Sequence, residues 1–191
     1  MYFQSNSIKL KMEKKVTLDN MSFKKMIPKD VLEKKVKELA DEINKAYEGE
    51  FLDLIVVLKG AFIFAADLIR HLKVDHAIHF VQFSSYKGTV PQKKIVEKIP
   101  INFDVEGKNI LIIEDIIDTG NTLKYFIDKL KKHHPKSLNV AVLLFKPKAF
   151  KHDFPIKFKA FDIDDKFVIG YGMDLDEKAR NLKDIYQKEE E

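Results

Sequence analysis

Residues 109–122 read NILIIEDIIDTGNT, and the fold and the candidate chemistry are both legible from this stretch. Ile110 to Ile113 form an unbroken apolar run, as in a strand buried on both faces. Glu114, Asp115 and Asp118 follow within five residues. Such carboxylates repel one another in isolation and make sense beside a divalent cation or a polyhydroxylated ligand. Thr119, Gly120, Asn121 and Thr122 then open a helix, TLKYFIDKLKKH, stopped by Pro135. Free backbone N–H groups and the helix dipole favour a phosphate at such a start. Gly120 lets backbone approach closely, and the threonine hydroxyls add hydrogen bonds. In open α/β sheets, ligands bind beyond the carboxyl ends of the strands. Acids beside a phosphate cradle describe a sugar phosphate with metal-bound hydroxyls.

Outward from this centre the chain alternates between the two periodicities. Residues 29–48 place Val31, Leu32, Val36, Leu39, Ile43 and Ala46 three or four apart between Pro28 and Gly49, an amphipathic helix. FLDLIVVL (51–58) is a buried strand ended by Lys59-Gly60, and AFIFAADLIRHL a helix. HAIHFVQFS (76–84) is a second strand, SYKGTVPQ (85–92) a loop, and 93–103 a hairpin arm. Residues 138–145 are another apolar strand, with short strands at 160–163 and 167–169 and a frayed KEEE end. Alternating helices and buried strands indicate an α/β fold with a mostly parallel sheet covered on both faces. The expected organisation is a single domain over 8–191, with a core at about 51–150 and a small hood from the N-terminal and C-terminal segments. Residues 1–7 contain YFQSN, which resembles a protease-site remnant.

The 191 residues are 45% hydrophobic and 34% charged, with a net charge of +4, a globular balance. The mild basicity suits an anionic small molecule but lacks the concentrated block of a dedicated nucleic-acid binder. The absence of cysteine excludes disulfides, thiolate metal sites and thiol catalysis. The expected setting is cytoplasmic, because no apolar stretch is long enough to span a bilayer and no secretory signal is present. No GxxxxGK[ST] occurs, and Gly170 and Gly172 lack the third glycine of a dinucleotide loop. The six histidines (71, 76, 79, 133, 134, 152) show no metal-ligand spacing and are expected to be structural or on the surface. The lysine-rich segment from Lys124 to Lys159 is expected to be a solvated face, with no nucleic-acid partner.

ILIIEDIIDTGNT resembles the phosphoribosyl pyrophosphate (PRPP) motif of the type I phosphoribosyltransferases, in particular the hypoxanthine-guanine branch. The resemblance continues in order through VLKGAFIF, SSY, LLFKP and DKFVIGYGMD, and covers about residues 51–186. It implies a Mg²⁺-dependent enzyme, with two ions, that moves the 5-phosphoribosyl group from PRPP to N9 of hypoxanthine or guanine.

The resemblance also distributes the roles. Glu114 and Asp115 match residues that approach the ribose hydroxyls directly or through Mg²⁺. Asp118 matches the general base near purine N7, and neighbouring acids would make it a better proton acceptor. Asp118, Thr119, Gly120, Asn121 and Thr122 would form the 5′-phosphate loop, with no added charge at Asn121. Lys59 and Gly60 match a turn whose backbone amides hold pyrophosphate, where the family often has a cis peptide, which would fall between Leu58 and Lys59. Ser85 and Tyr86 match a closing lid. Lys146 matches a donor to the purine O6, which would leave adenine's amino group facing another donor. Phe167 matches the ring that stacks on the purine, and the Val168 backbone a contact to its 2-position. Asp174 matches a metal ligand beside the pyrophosphate. Arg180 matches a pyrophosphate contact, and is one of only two arginines beside many lysines. Arg70, the other, is expected to be structural. Leu175 and the Ile101-Asn102-Phe103 approach depart from the family pattern and bear on affinity and base preference. A homo-dimer or homo-tetramer is implied. A xanthine-preferring or strongly hypoxanthine-biased relative, and a regulatory protein of the same fold that senses nucleotide or PRPP and binds nucleic acid, are the other readings.

Overall fold

The computed structural model describes residues 15–85 and 95–189. In chain order these form β1 (Lys15–Leu18), β2 (Met21–Ile27), α1 (Lys29–Ala46), β3 (Leu52–Leu58), α2 (Phe62–Ile69), β4 (His76–Ser85) and β5 (Ile95–Ile99). There follow β6 (Asn109–Ile117), α3 (Asn121–Lys131), β7 (Ser137–Phe145), β8 (Phe158–Asp162), β9 (Val168–Ile169) and β10 (Ile185–Lys188).

Six strands make the main sheet in the order β5-β4-β3-β6-β7-β8, and only β5 runs antiparallel to its neighbour. The alternation of side chains along each strand supplies two covered faces. Leu54, Val56, Leu111 and Ile113 pack with Leu32, Val36, Leu39 and Ile43 of α1 and Phe64 and Leu68 of α2. Ile55, Val57, Ile110 and Ile112 pack with Leu123, Phe126, Ile127 and Leu130 of α3 on the other side. Each fully buried side chain of this size contributes about 1.5–3 kcal/mol relative to exposure. The strand order reverses at β3: β4 lies on one side of it and β6 on the other. The carboxyl ends of β3 and β6 therefore flank a switch point, where the chain leaves room for a ligand.

A separate antiparallel sheet, β1-β2-β10-β9, forms the hood from both ends of the described chain. Its own core includes Phe23, Ile169, Leu182 and Tyr186. Tyr171 ties the hood to α2 through a 2.7 Å hydrogen bond from its hydroxyl to Asp67 Oδ2. Asp184 accepts the Lys29 amide at 2.8 Å and the Lys25 ammonium lies 2.7 Å away, which joins the hood to the start of α1.

Several local expectations are corrected. The loop read at IIDTGN (116–121) starts later, because β6 continues to Ile117 by pairing with β7 as far as Ile117↔Phe145. The two short late strands belong to different sheets, 158–162 to the main one and 168–169 to the hood. The hairpin arm stops at Ile99, and Phe103 instead stacks on the His79 ring at 3.5 Å. Lys188 is not frayed: β10 pairs it with Phe23, and the Glu189 amide donates to the Ser22 carbonyl at 2.9 Å. No pattern in the sequence marked β1, β2 or β10 as strands, since their polar faces break the apolar runs. His79 is structural as expected, with Nε2 2.7 Å from Asp53 Oδ1. Arg70 caps α2 and pairs with Asp67 at 3.2 Å.

Candidate active site

The ends of β3, β4, β6 and β7 and the inner edge of the hood enclose a cavity of about 450 Å³. Leu58, Lys59 and Gly60 enter it from β3, Asp115, Ile116 and Asp118 from β6 and its turn. Lys146 enters from the end of β7, and Phe167, Val168, Asp174 and Arg180 from the hood. Residues far apart in the chain thus converge where the topology reverses.

Gly60 and Asp115 meet at the switch point. A Cβ at Gly60 would collide with the Asp115 carboxylate, so only glycine lets this acid lie against the turn. Gly172, at φ +101, approaches the Gly60 carbonyl so closely that a side chain there would strike it. The GxG spacing of Gly170 and Gly172 thus serves packing of the hood onto the turn rather than a dinucleotide. The Leu58–Lys59 peptide is cis, the isomer often found at this turn in the family it resembles.

Glu114 and Asp115 are enclosed, and burial dominates their electrostatics. Desolvation, with the adjacent Asp115 charge, raises the Glu114 carboxyl well above the ordinary range. Desolvation also raises Asp115 to about 6, against backbone hydrogen bonds and the Arg180 charge, which favour its ionised form. Among the described residues, Glu114 Oε2 is a buried acceptor without a hydrogen-bond partner. A cation or a hydroxyl-bearing ligand is what such an atom lacks.

Asp118 differs in kind, with a side chain 52% exposed and the Lys146 ammonium 3.6 Å from its Oδ2. Its nearby partner is a cation, where the sequence had pointed to neighbouring acids. Lys146 is only 7% exposed, and it donates to Asp165 Oδ1 at 3.1 Å. The 119–122 turn lies next to Asp118 without lining the cavity. Gly120 sits at φ +78 as the N-cap of α3, which has no side-chain cap, so its first N–H groups remain available. A side chain at Gly120 would also hit the Phe150 ring. Asn121 Oδ1 lies 2.8 Å from His152 Nε2, a contact the sequence did not indicate.

On the hood side, Phe167 is 46% exposed and tilts against Phe23 at 6.3 Å, so it is a wall of the cavity rather than core. Val168 is buried in β9, where its strand pairs with Gln187. Arg180 is internally committed: Nη1 donates to the Gly172 carbonyl at 2.8 Å, and Nη2 lies 2.8 Å from Asp174 and 2.9 Å from Glu177. Lys59 Nζ lies 2.8 Å from the other oxygen of Glu177. These two cations hold the Glu177 carboxyl down at about 2. Among the described residues no three His, Asp or Glu side chains are gathered as a metal site. Ser85 ends β4, while Tyr86 lies outside the described residues.

Sequence reasoning missed Glu177, Asp165 and the packing role of Gly172. Glu177 had a signal, an acid three residues from both Asp174 and Arg180, but nothing in that spacing predicts the Lys59 contact.

The phosphoribosyl transferase domain family matches residues 28–176, more than half of the chain. The chain belongs to that family. A hypoxanthine-guanine phosphoribosyltransferase of Aquifex aeolicus is 40% identical over 169 residues, covering 87% of this chain and 95% of its own length. The Bacillus subtilis protein of the same name is 41% identical over 160 residues, covering 83% of this chain and 89% of its own. A crystal structure of a hypoxanthine-guanine phosphoribosyltransferase from Bacillus anthracis, with HEPES in the active site, superposes with a TM-score of 0.81. It is 43% identical and covers 85% of this chain and 96% of that one. The phosphoribosyltransferase fold and the hood are therefore those expected from EDIIDTG.

Proposed function

We propose that this phosphoribosyltransferase serves purine salvage, joining C1′ of PRPP to N9 of hypoxanthine or guanine. The C1′–oxygen bond to pyrophosphate breaks as the C1′–N9 bond forms, and the purine gives up one proton. The products are IMP or GMP and pyrophosphate. The observation that carries the reading is the buried Lys146 ammonium at the β7 end, directed into a cavity beside Asp118. An ammonium there donates to the O6 of a 6-oxopurine and meets only a like donor in the amino group of adenine.

In this reading Asp118 takes the proton at N7, Phe167 stacks on the purine, and the Val168 backbone meets its 2-position. Glu114 and Asp115 hold the ribose hydroxyls, and the 118–122 turn holds the 5′-phosphate on the open start of α3. Lys59, Gly60 and Arg180 hold the pyrophosphate. The unpartnered, buried Glu114 Oε2 fits a ligand that arrives with a cation. Glu114, Asp115 and Asp174 are the residues that would hold Mg²⁺, with two ions expected. Bound there, Mg²⁺ would neutralise negative charge on the departing pyrophosphate. The Ser85-Tyr86 segment is the proposed lid that keeps water from the activated sugar.

The test is a PRPP- and Mg²⁺-dependent assay of nucleotide formation with hypoxanthine, guanine, xanthine and adenine in parallel. Turnover of hypoxanthine or guanine with adenine inert is expected, and turnover of adenine would overturn the Lys146 assignment. A homo-dimer or homo-tetramer in the cytoplasm completes the reading, and a monomer by light scattering would refute the assembly. No helix among the described residues is long and apolar enough to cross a membrane.

A further inference from the structure

The hood segment Met173 to Arg180 contains a local conflict. Leu175 and Lys178 exchange two backbone hydrogen bonds, at 3.2 and 2.9 Å, and so close a two-residue turn around Asp176 and Glu177. Both central residues are left-handed, with φ of +48 and +64. Such a turn favours Asn or Asp first and Gly second. Asp176 obeys that preference and Glu177 does not. A left-handed side-chain-bearing residue stores strain, and strain of this kind collects at functional positions.

The strained side chain has a particular destination. Glu177 Oε1 takes the Lys59 ammonium at 2.8 Å and Oε2 takes the Arg180 guanidinium at 2.9 Å. The other Arg180 terminal nitrogen is on the Gly172 carbonyl, and Asp174 shares Nη2. Lys59 and Arg180 both belong to the residues assigned above to pyrophosphate, so one carboxylate pairs with two cations of that subsite from inside the protein. The Glu177 side chain is 62% exposed and that of Lys59 52%, so this bridge is weak enough to yield to a ligand.

The geometry points to Glu177 as an internal anion that occupies the diphosphate subsite and is displaced when the ligand's phosphates bind to Lys59 and Arg180. The inference rests on the assignment of pyrophosphate to that turn, and it adds a residue that sets how tightly the diphosphate is held. The exchange weakens retention of pyrophosphate, because the leaving product competes with a tethered carboxylate always present at the same two cations.

The test is calorimetric titration of the full chain with sodium pyrophosphate in excess Mg²⁺, at two ionic strengths. Glu177→Gln keeps the shape and removes the charge, and tightening of about three- to tenfold is expected, as for the loss of one or two exposed ion pairs. Asp176→Asn removes an equal charge one residue away, suits the left-handed backbone, and is expected to change affinity less than twofold. Added salt should shrink the Gln effect. Glu177→Gly, which removes both acid and strain, should tighten binding at least as much. Weaker or unchanged binding by Glu177→Gln, or equal tightening by Asp176→Asn, overturns the inference and leaves the pyrophosphate assignment standing if wild type binds. Absence of binding by wild type and both Glu177 variants overturns the assignment together with the inference.

Discussion

At the end of β6, Glu114 and Asp115 are enclosed and held toward their neutral forms by burial, while in the hood Glu177 is open to solvent and held ionised by two cations. Asp115 and Glu177 line the same cavity. The difference shows that carboxylates in one site can be prepared for opposite tasks by surroundings alone. The enclosed pair is short of positive charge and gains from a ligand that brings it. The hood acid is already satisfied and has to be moved. Asp118 lines the same cavity, exposed and with the Lys146 ammonium 3.6 Å away.

The largest expected effect tests Asp118, the carboxylate assigned to proton transfer. Asp118→Asn should lower turnover by about 10²–10⁴-fold while the PRPP KM moves little, since general-base removal acts in the transition state. A rise in KM with turnover preserved would move Asp118 into the binding group. Next is its neighbour: Lys146→Ala should cost about 10²-fold in kcat/KM for hypoxanthine, the scale for leaving a substrate oxygen unpaired. Unchanged selectivity against adenine would detach Lys146 from base recognition.

The enclosed pair predicts a stability effect of known sign. The Asp115 carboxyl is raised from 3.8 to about 6, so folding favours its protonated form. Its contribution to stability is complete below pH 3.8 and is lost as pH rises through about 6. In metal-free buffer Asp115→Asn should therefore be more stable than wild type above pH 7 by about 3 kcal/mol, or roughly 6–12 °C in Tm. The two proteins should converge near pH 4. A constant gap at all pH values would remove burial as the cause.

The smallest effect has the opposite sign and lies in the hood. Burial pushes the Asp184 carboxyl up, but Lys25, the Lys29 amide and Tyr186 outweigh it and hold it below the ordinary value. Its stabilisation is present above the unfolded pKa and lost as pH falls through the lower folded one. Asp184→Asn should cost about 1 kcal/mol near neutrality, measured by denaturant unfolding, and the cost should fade as pH falls below 3.8. A gap that persists in acid would make packing, not charge, the origin.

Much of the main sheet was legible because its strands are buried on both faces. Runs such as LIVV and ILII leave few alternatives. The helices were legible for a similar reason, as Leu32, Val36, Leu39 and Ile43 repeat at helical spacing between Pro28 and Gly49. The hood strands were not: KVTL and IYQK are short and half polar, and become strands only by pairing with partners far away in the chain. Within the site, the order EDIIDTG marked the strand end and the helix start, but the continuation of β6 to Ile117 depended on its pairing with β7.

By itself the sequence determined which residues could meet a sugar phosphate, because local order sets the strand, the acids and the open helix start in one stretch. It also determined the glycines whose side chains would collide, though not with what. Only the tertiary structure decided the charge state of each acid, since that depends on burial and on cations brought from elsewhere. Glu177 lies 118 residues from Lys59, and their contact follows from the hood folding over the end of β3. Spacing governs what is local. Electrostatics in a site belongs to the assembled molecule, because desolvation and charge pairing act through space and not along the chain.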